Sequence, residues 1–314
     1  MNKLCKICNN KSSSTKITLR DGSKDNIYTC NDCGFSFLDA KYQSLLEEDK
    51  FEDARLGSAG LKIPEISEDF QNGLNQSKKY LNEYIGKNSL NDQILEIGCS
   101  WGYFLSLLKD EGFNVCGLEI NKTRATYVKD NLGISCFTSL EDLEIKKYSF
   151  DKIFLFYTLE YIEFPLDYLN RVLNLLNNNG KVVIITPNLK DVLKDVWFNK
   201  GFQVFFFEKQ AVSYFSQESL ETLFSKLSSK VSYTIDLRQG YSIFNHLSWF
   251  FSQKPVWTGS VGEDNHLEEI ITSLNRESDL YPELRSFLEN LDFSYKNILQ
   301  DHGYGNQIHV TLSK

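Results

Sequence analysis

The stretch from Gln93 to Phe104 constrains the fold of this chain more than any other part of the sequence. It reads QILEIGCSWGYF, which is an apolar run of strand length followed by a turn that contains Gly98 and Gly102. Three leucines continue the pattern at helical spacing as far as Gly112. A second short apolar run follows directly. The order predicts a strand, a glycine turn, a helix and a second strand, which together form a βαβ unit.

Two acidic residues flank this turn. Glu119 ends the second apolar run, where a carboxylate can accept hydrogen bonds from ribose hydroxyls. Glu96 precedes the turn in the spacing E-x-G-x-x-x-G, and Ser100 takes the position of the middle glycine of pyrophosphate-binding turns. A carboxylate at Glu96 would repel a pyrophosphate but would suit a cationic ligand. S-adenosylmethionine is such a ligand, because it carries an ammonium and a sulfonium and no phosphate.

On these residues the sequence resembles the class I S-adenosylmethionine-dependent methyltransferases, and a second block extends the resemblance. The fourth strand of that family ends H-x-L-E-H and the fifth ends V-P-N. In this chain the H-x-L-E-H motif has tyrosines at both histidine positions, Tyr157 and Tyr161, and keeps its glutamate as Glu160. The fifth strand ends on Pro187-Asn188. The likeness covers roughly residues 75–235. A dehydrogenase-like or purely structural βαβ unit is the alternative.

The resemblance implies an α/β fold with a Rossmann-like sheet of seven strands. The seventh, antiparallel strand is expected at the extreme C-terminus, residues 307–312, which leaves a long helical insertion before it. We expect that insertion to hold two helical stretches, the second broken near Pro282, and to cap the substrate side of the sheet. The predicted division is a zinc ribbon at 1–40, a linker at 41–67, the cofactor-binding core at 68–237, the cap at 238–303 and the final core strand at 304–314.

The resemblance also implies which residues bind the cofactor. They are Glu96, Gly98, Cys99, Gly102, Tyr103, Glu119, Ile120, Ser139, Leu140 and Tyr157. Many members of the family place an aspartate against the adenine ring after the third strand. This chain has Ser139 there, followed closely by Glu141 and Asp142.

Candidate catalytic residues come from the same motif and from the cap. They are Tyr157, Glu160, Tyr161 and His246. Glu160 can orient the cofactor or accept a proton. His246 is the only histidine of the first cap helix, and a hydrogen-bonded packing role is the alternative to a role as base.

The seven cysteines fall into two groups. Cys5, Cys8, Cys30 and Cys33 form two C-x2-C pairs separated by 21 residues. This spacing predicts a closed, tetrahedral and therefore structural zinc site, because four protein ligands leave no open position. The remaining three cysteines lie singly in or beside predicted strands and are interpreted as buried thiols.

Composition excludes several classes of partner. A net charge of −8 argues against broad nucleic-acid binding or binding to acidic membranes. No apolar run reaches membrane-spanning length, and the polar start Met1-Asn2-Lys3 is not typical of a signal peptide. We therefore expect a cytoplasmic protein with no membrane association.

An N-terminal cysteine ribbon joined to this core resembles a bacterial group linked to sugars, surface polysaccharides and secondary metabolites. The resemblance implies O-methylation of a small molecule, such as a sugar or sugar nucleotide. One alternative is an RNA or protein methyltransferase that docks its substrate through the ribbon. Another is a non-catalytic S-adenosylmethionine-binding protein that assembles with a partner through the ribbon.

Overall fold

The N-terminal cysteine pairs lie on a small antiparallel ribbon. The computed structural model describes residues 3–39, 66–86, 91–256 and 264–314. The ribbon strands are β1 (Ser12–Thr18), β2 (Lys24–Cys30) and β3 (Ser36–Phe37). The predicted linker at 41–67 lies outside the described residues, apart from its last two positions, which begin the first helix.

The centre of the molecule is a sheet of seven strands. Its members in chain order are β4 (Gln93–Ile97), β5 (Asn114–Leu118), β6 (Ser135–Phe137), β7 (Phe150–Phe156), β8 (Leu176–Pro187), β10 (Ser232–Arg238) and β11 (Gln307–Ser313). Their spatial order is β10-β11-β8-β7-β4-β5-β6, and β11 runs antiparallel to both of its neighbours. The predicted Rossmann-like sheet, with its antiparallel strand at the C-terminus, is therefore confirmed.

Within the described residues, five helices precede or connect the parallel strands. They are α1 (Ile66–Tyr84), α2 (Tyr103–Asp110), α3 (Lys122–Asp130), α4 (Leu140–Ile145) and α5 (Pro165–Asn174). The start of α3 shows why these ends are well defined, since the Asn121 side chain accepts a hydrogen bond from the amide of Arg124. Helix α5 ends at Asn174, and Leu176 begins β8, where it pairs with Phe150 at the start of β7.

The cap is built from two segments of the chain. The predicted insertion supplies α9 (Ile243–Ser252), α10 (His266–Ser273) and α11 (Tyr281–Asp301), and Pro282 lies in the first turn of α11. The second segment was not predicted and consists of α6 (Val192–Asp195) and α7 (Lys200–Phe206), which follow β8. Trp249 of α9 packs in one buried cluster with Leu193 of α6, and the Asn199 amide donates to the Trp249 carbonyl at 2.8 Å.

The ends of the insertion place the cap at the carboxyl edge of the parallel strands. Arg238, the last residue of β10, pairs with Gln307, the first residue of β11, and Gln307 pairs with Pro187 at the end of β8. The cap therefore starts and finishes at the edge where open α/β sheets bind their ligands.

The ribbon is not an independent module. A short strand from the core, β9 (Ser213–Tyr214), pairs with β3 and becomes the fourth strand of the ribbon sheet, while α8 (Gln217–Ser225) continues the core. The Phe35 ring lies 5.3 Å from the Phe215 ring, within the same buried cluster as the central sheet. The core thus covers one face of the ribbon.

Among the described residues, no helix combines the length and the apolar character needed to cross a membrane.

Candidate active site and metal centre

Glu96 and Glu119 lie together at the carboxyl edge of two adjacent strands. β4 and β5 are parallel neighbours, with Glu96 opposite Gly117. Both oxygens of Glu119 accept backbone hydrogen bonds, from the amide of Ser100 at 2.9 Å and from that of Asn121 at 2.9 Å. These bonds hold the carboxylate in one orientation, and an ionised carboxylate can accept about four hydrogen bonds in all.

The carboxyl of Glu96 is buried beside this site. Only 6% of Glu96 is exposed, and its Oε2 atom has no hydrogen-bond partner within the described part of the chain. Its pKa is raised well above the usual range, first by burial and then by the charge of Glu119. A buried carboxylate oxygen without a partner fits a ligand that brings a cationic group. The residues therefore fit the ammonium of S-adenosylmethionine.

The glycine turn between β4 and α2 cannot carry ordinary side chains at two positions. Gly98 has φ of 75°, and a Cβ atom there would lie 2.3 Å from Oγ1 of Thr158. Gly102 has φ of 81°, and its Cβ would lie 2.8 Å from a methyl carbon of Leu132. Both glycines are therefore required by backbone conformation and by close packing, which lets the turn run along the carboxyl edge.

The other predicted cofactor residues differ in placement. The Cys99 side chain points into the core, with its sulfur 3.8 Å from that of Cys136, so any ligand contact from Cys99 would use its backbone. Tyr103 begins α2 and packs edge-on against Phe70 of α1 at 5.4 Å. Ile120 follows Glu119 and is 42% exposed.

The turn after β6 carries the two residues predicted to border an adenine ring. Ser139 caps α4, because its hydroxyl accepts from the amide of Asp142 at 3.2 Å. Leu140 is buried beneath it. The serine hydroxyl thus has a structural partner already, and Glu141 and Asp142 both lie in the first turn of α4.

Tyr157 lies at the end of β7 within a group of hydroxyl-bearing residues. Its backbone is left-handed, with φ of 49°, which turns the side chain at the carboxyl edge. The pKa of Tyr157 is raised well above its usual range, first by burial and then by neighbouring Tyr80, Tyr241 and Glu160. The sequence interpretation missed Tyr80, which lies on α1, because this residue belongs to no recognisable motif.

Glu160 and Tyr161 occupy the 3-10 turn Leu159–Tyr161 that follows β7. Glu160 is buried, and its Oε2 accepts from the hydroxyl of Thr186 at 3.1 Å. The Tyr161 hydroxyl instead donates to Oε1 of Glu208 at 3.2 Å, among residues that join the core to the ribbon. The two predicted catalytic residues therefore have different neighbours: Glu160 contacts Thr186 of the central sheet, and Tyr161 contacts Glu208 beside the ribbon.

His246 is enclosed by the cap. It is 1% exposed, its Nδ1 lies 2.6 Å from the Tyr295 hydroxyl, and its Nε2 lies 3.4 Å from the Gln239 amide nitrogen. Burial lowers its pKa to about 4. A neutral imidazole whose two nitrogens both have partners within the cap favours the packing role over the predicted role as catalytic base.

The four N-terminal cysteines converge as the spacing predicts. Their sulfur atoms all lie within 4.8 Å of one another. The closest pairs are Cys8–Cys30 at 3.4 Å, Cys5–Cys33 at 3.7 Å and Cys8–Cys33 at 3.7 Å. A tetrahedral zinc with bonds of about 2.3 Å requires sulfur–sulfur distances of about 3.8 Å. The group can therefore hold one zinc ion, and the amides of Ile7 and Asp32 donate to its sulfurs.

The fold and the two carboxylates define a Rossmann-like protein with a ligand site at the carboxyl edge of its sheet. A family model described as a methyltransferase domain matches residues 71–227, which is 157 of the 314 residues. The chain therefore belongs to the methyltransferase-domain family.

Individual relatives are more distant. The chain is 30% identical over 112 residues to an uncharacterised protein of Methanocaldococcus jannaschii. The aligned residues make up 36% of this chain and 48% of that protein. It thus spans about half the length of this curated relative.

Two solved structures cover most of this chain at lower sequence identity. One is a SAM-dependent methyltransferase from Archaeoglobus fulgidus, with a TM-score of 0.50, 18% identity, and coverage of 79% of this chain and 97% of that one. It shares the fold. The other, from Thermotoga maritima, is described as a possible histamine N-methyltransferase, with a TM-score of 0.47, 16% identity, and coverage of 87% and 99%.

Proposed function

We propose that this chain is an S-adenosylmethionine-dependent methyltransferase that acts on a hydroxyl group of a small molecule such as a sugar. The observation that carries the cofactor assignment is the buried Oε2 atom of Glu96, which has no hydrogen-bond partner in the described part of the chain and lies beside Glu119. A cationic, phosphate-free nucleoside satisfies both carboxylates, whereas a dinucleotide would bring a pyrophosphate to them.

The cofactor would be held along one edge of the sheet. Glu96 receives the ammonium group and Glu119 the ribose hydroxyls. The turn from Gly98 to Gly102 and the start of α2 at Tyr103 lie along the amino-acid portion. Ile120, with the turn at Ser139 and Leu140, borders the adenine. When bound, the cofactor supplies a methyl group on an already activated sulfonium, so the chain must chiefly align the two reactants and exclude water.

The acceptor side offers neutral hydroxyls and one carboxylate. Partial burial raises the pKa values of Tyr80, Tyr157 and Tyr241, that of Tyr241 to about 12. They therefore stay protonated at neutral pH and can exchange hydrogen bonds with hydroxyl groups of an acceptor. Glu160 is the carboxylate of this group, and we assign it to hold or accept the proton of the acceptor hydroxyl.

The size of the acceptor is limited by the cap. Two segments contribute helices to it, residues 192–206 and residues 243–301, and of the second the structure describes 243–256 and 264–301. A cover built in this way favours a small acceptor over a folded RNA or protein. The net charge of −8 also disfavours RNA.

The test uses the purified protein, S-adenosylmethionine labelled in its methyl group, and separate pools of monosaccharides, nucleotide sugars, total RNA and cell protein. We expect label in a sugar-containing pool, attached through a base-stable ether. Label transfer should be lost in Glu160→Gln and retained in the exposed control Glu111→Gln. Label in RNA or protein would favour the macromolecular alternative. Tight cofactor binding with no label in any pool would favour the non-catalytic one.

A further inference from the structure

The ribbon contacts the residues around Glu160 through an arginine. Nη1 of Arg20, in the loop between β1 and β2, lies 2.7 Å from Oε2 of Glu208, and its Nε donates to the Phe205 carbonyl at 2.6 Å. The side chains of Arg20 and Glu208 are only 13% and 12% exposed. The other oxygen of Glu208 accepts from Tyr161, the residue after Glu160. One carboxylate therefore joins the ribbon to the 3-10 turn.

A second connection runs through the backbone. The amide of Val212 donates to the Glu160 carbonyl at 2.9 Å, and the Val212 carbonyl accepts from the amide of Leu38 at 3.0 Å. Leu38 follows β3, and the next core residues form β9 in the ribbon sheet. The hydroxyl of Ser213 donates to the Ile162 carbonyl at 2.6 Å. The turn that carries Glu160 is thus bonded on both sides to residues paired with the ribbon.

We propose that Arg20 and Glu208 are positioning residues through which the zinc ribbon holds the 3-10 turn Leu159–Tyr161, and with it Glu160, in place. The catalytic importance of this position rests on the function proposed above. In this account Tyr161 acts through its hydrogen bond to Glu208 and does not touch the reactants. On this proposal the ribbon stabilises the position of a turn in the core of the same chain.

The 3-10 turn Leu159–Tyr161 needs such contacts because its own hydrogen bonds stabilise it only weakly. A single 3-10 turn has few internal hydrogen bonds, here from the amide of Tyr161 to Thr158 and from that of Ile162 to Leu159, both at 3.1 Å. Nearly buried ion pairs are costly to break by removing one partner, because the remaining charge stays without compensation. Loss of Arg20 should therefore loosen the turn as well as the loop that it contacts.

The test is hydrogen exchange measured by mass spectrometry on the full-length protein without cofactor. The variants are Arg20→Met, which removes the guanidinium, and Tyr161→Phe, which removes only a hydroxyl. Arg171→Met is the matched control, since Arg171 makes a two-bond ion pair with Glu144 on the exposed surface of the core. Calorimetric titration with S-adenosylmethionine accompanies each variant.

We expect peptides covering residues 158–163 to exchange about tenfold faster in Arg20→Met and in Tyr161→Phe, and unchanged in Arg171→Met. Peptides of β4 and α2 and the cofactor affinity should stay as in the wild type. Unchanged exchange at 158–163 in both variants would overturn the proposal. If Arg20→Met does not fold, the exchange of residues 158–163 in Tyr161→Phe tests the proposal by itself. Failure of the wild type to bind S-adenosylmethionine would contradict the proposed function but not the exchange result.

Discussion

A Cβ atom on Gly98 would lie 2.3 Å from Oγ1 of Thr158, so the glycine turn between β4 and α2 is in direct contact with the end of β7. Thr158 Oγ1 is itself within hydrogen-bonding distance of the carbonyl oxygens of Ile97 and Phe156, at 3.1 and 3.0 Å. The glycine of the turn therefore allows the end of β7, with Tyr157 and the Glu160 turn, to approach the proposed cofactor site.

Gly98→Ala should be much more destabilising than a glycine change without such a neighbour. The alanine must adopt a positive φ and must also displace Thr158, for a total cost of about 3 kcal/mol. Gly112 is the matched control, because it has φ of 89° and nothing within 4 Å of its Cβ position. Its alanine variant should cost only about 1 kcal/mol. Urea unfolding measures both, and equal losses would contradict the account of the contact.

The second prediction concerns the metal. The purified protein should contain about one zinc per chain, and Cys8→Ser or Cys33→Ser should abolish it, because a structural site needs all four thiolates. Since the ribbon shares its sheet with β9, loss of zinc should also lower the melting temperature of the core. Cys116→Ser, which changes a buried thiol outside the group, should retain the metal. Absence of metal from the wild type, as measured by elemental analysis, would refute the assignment.

The third prediction follows from the raised pKa of Glu96. Because the folded pKa lies above the unfolded value of about 4.3, the unfolded state ionises first as the pH rises. This group's contribution to stability is therefore present at acidic pH and is lost as the pH rises through the folded pKa. Glu96→Gln should be more stable than the wild type at pH 8, yet bind S-adenosylmethionine more weakly.

Urea unfolding at pH 5 and pH 8, with the exposed Glu111→Gln as control, measures this effect. A Glu96→Gln variant with the same pH dependence as the wild type would contradict the interpretation of Glu96 as an uncompensated buried carboxyl.

The fourth prediction concerns His246. Its lowered pKa means that the unfolded state takes up a proton first as the pH falls, so stability from this group is lost between about pH 6.5 and pH 4. His246→Ala should lower the free energy of unfolding by about 2–3 kcal/mol at pH 7, through the cavity and the unpaired Tyr295 hydroxyl. Cofactor affinity should be unchanged. Unchanged stability together with lost methyl transfer would instead support His246 as a catalytic base.

Much of the core was predictable because its signals are local. The turn after β4 carries its own glycines and carboxylate, and the two cysteine pairs bring their ligands by spacing alone. The last strand, β11, was predictable because the sheet lacked one strand and because polar and apolar residues alternate at the C-terminus. In each case a few neighbouring residues contain the necessary information.

The parts that were missed depend on contacts between distant residues. β9 has only two residues, too few for any periodicity, and it exists because Ser36 and Phe37 pair with it. The helices α6 and α7 are short and are held by Trp249 of the cap. The contact of Thr158 with Gly98 and the approach of Tyr80 to Tyr157 likewise join separate elements. No pattern within one segment could indicate them.

The measurement that tests the central claim most directly is calorimetric titration of the wild type and Glu119→Ala with S-adenosylmethionine and with a nicotinamide dinucleotide. We predict that the wild type binds S-adenosylmethionine in preference, and that Glu119→Ala weakens this binding by about 1.5–3 kcal/mol, the contribution of charge-assisted hydrogen bonds. The exposed control Glu111→Ala should bind as the wild type does. Unchanged affinity in Glu119→Ala, or tighter binding of the dinucleotide by the wild type, would contradict the account.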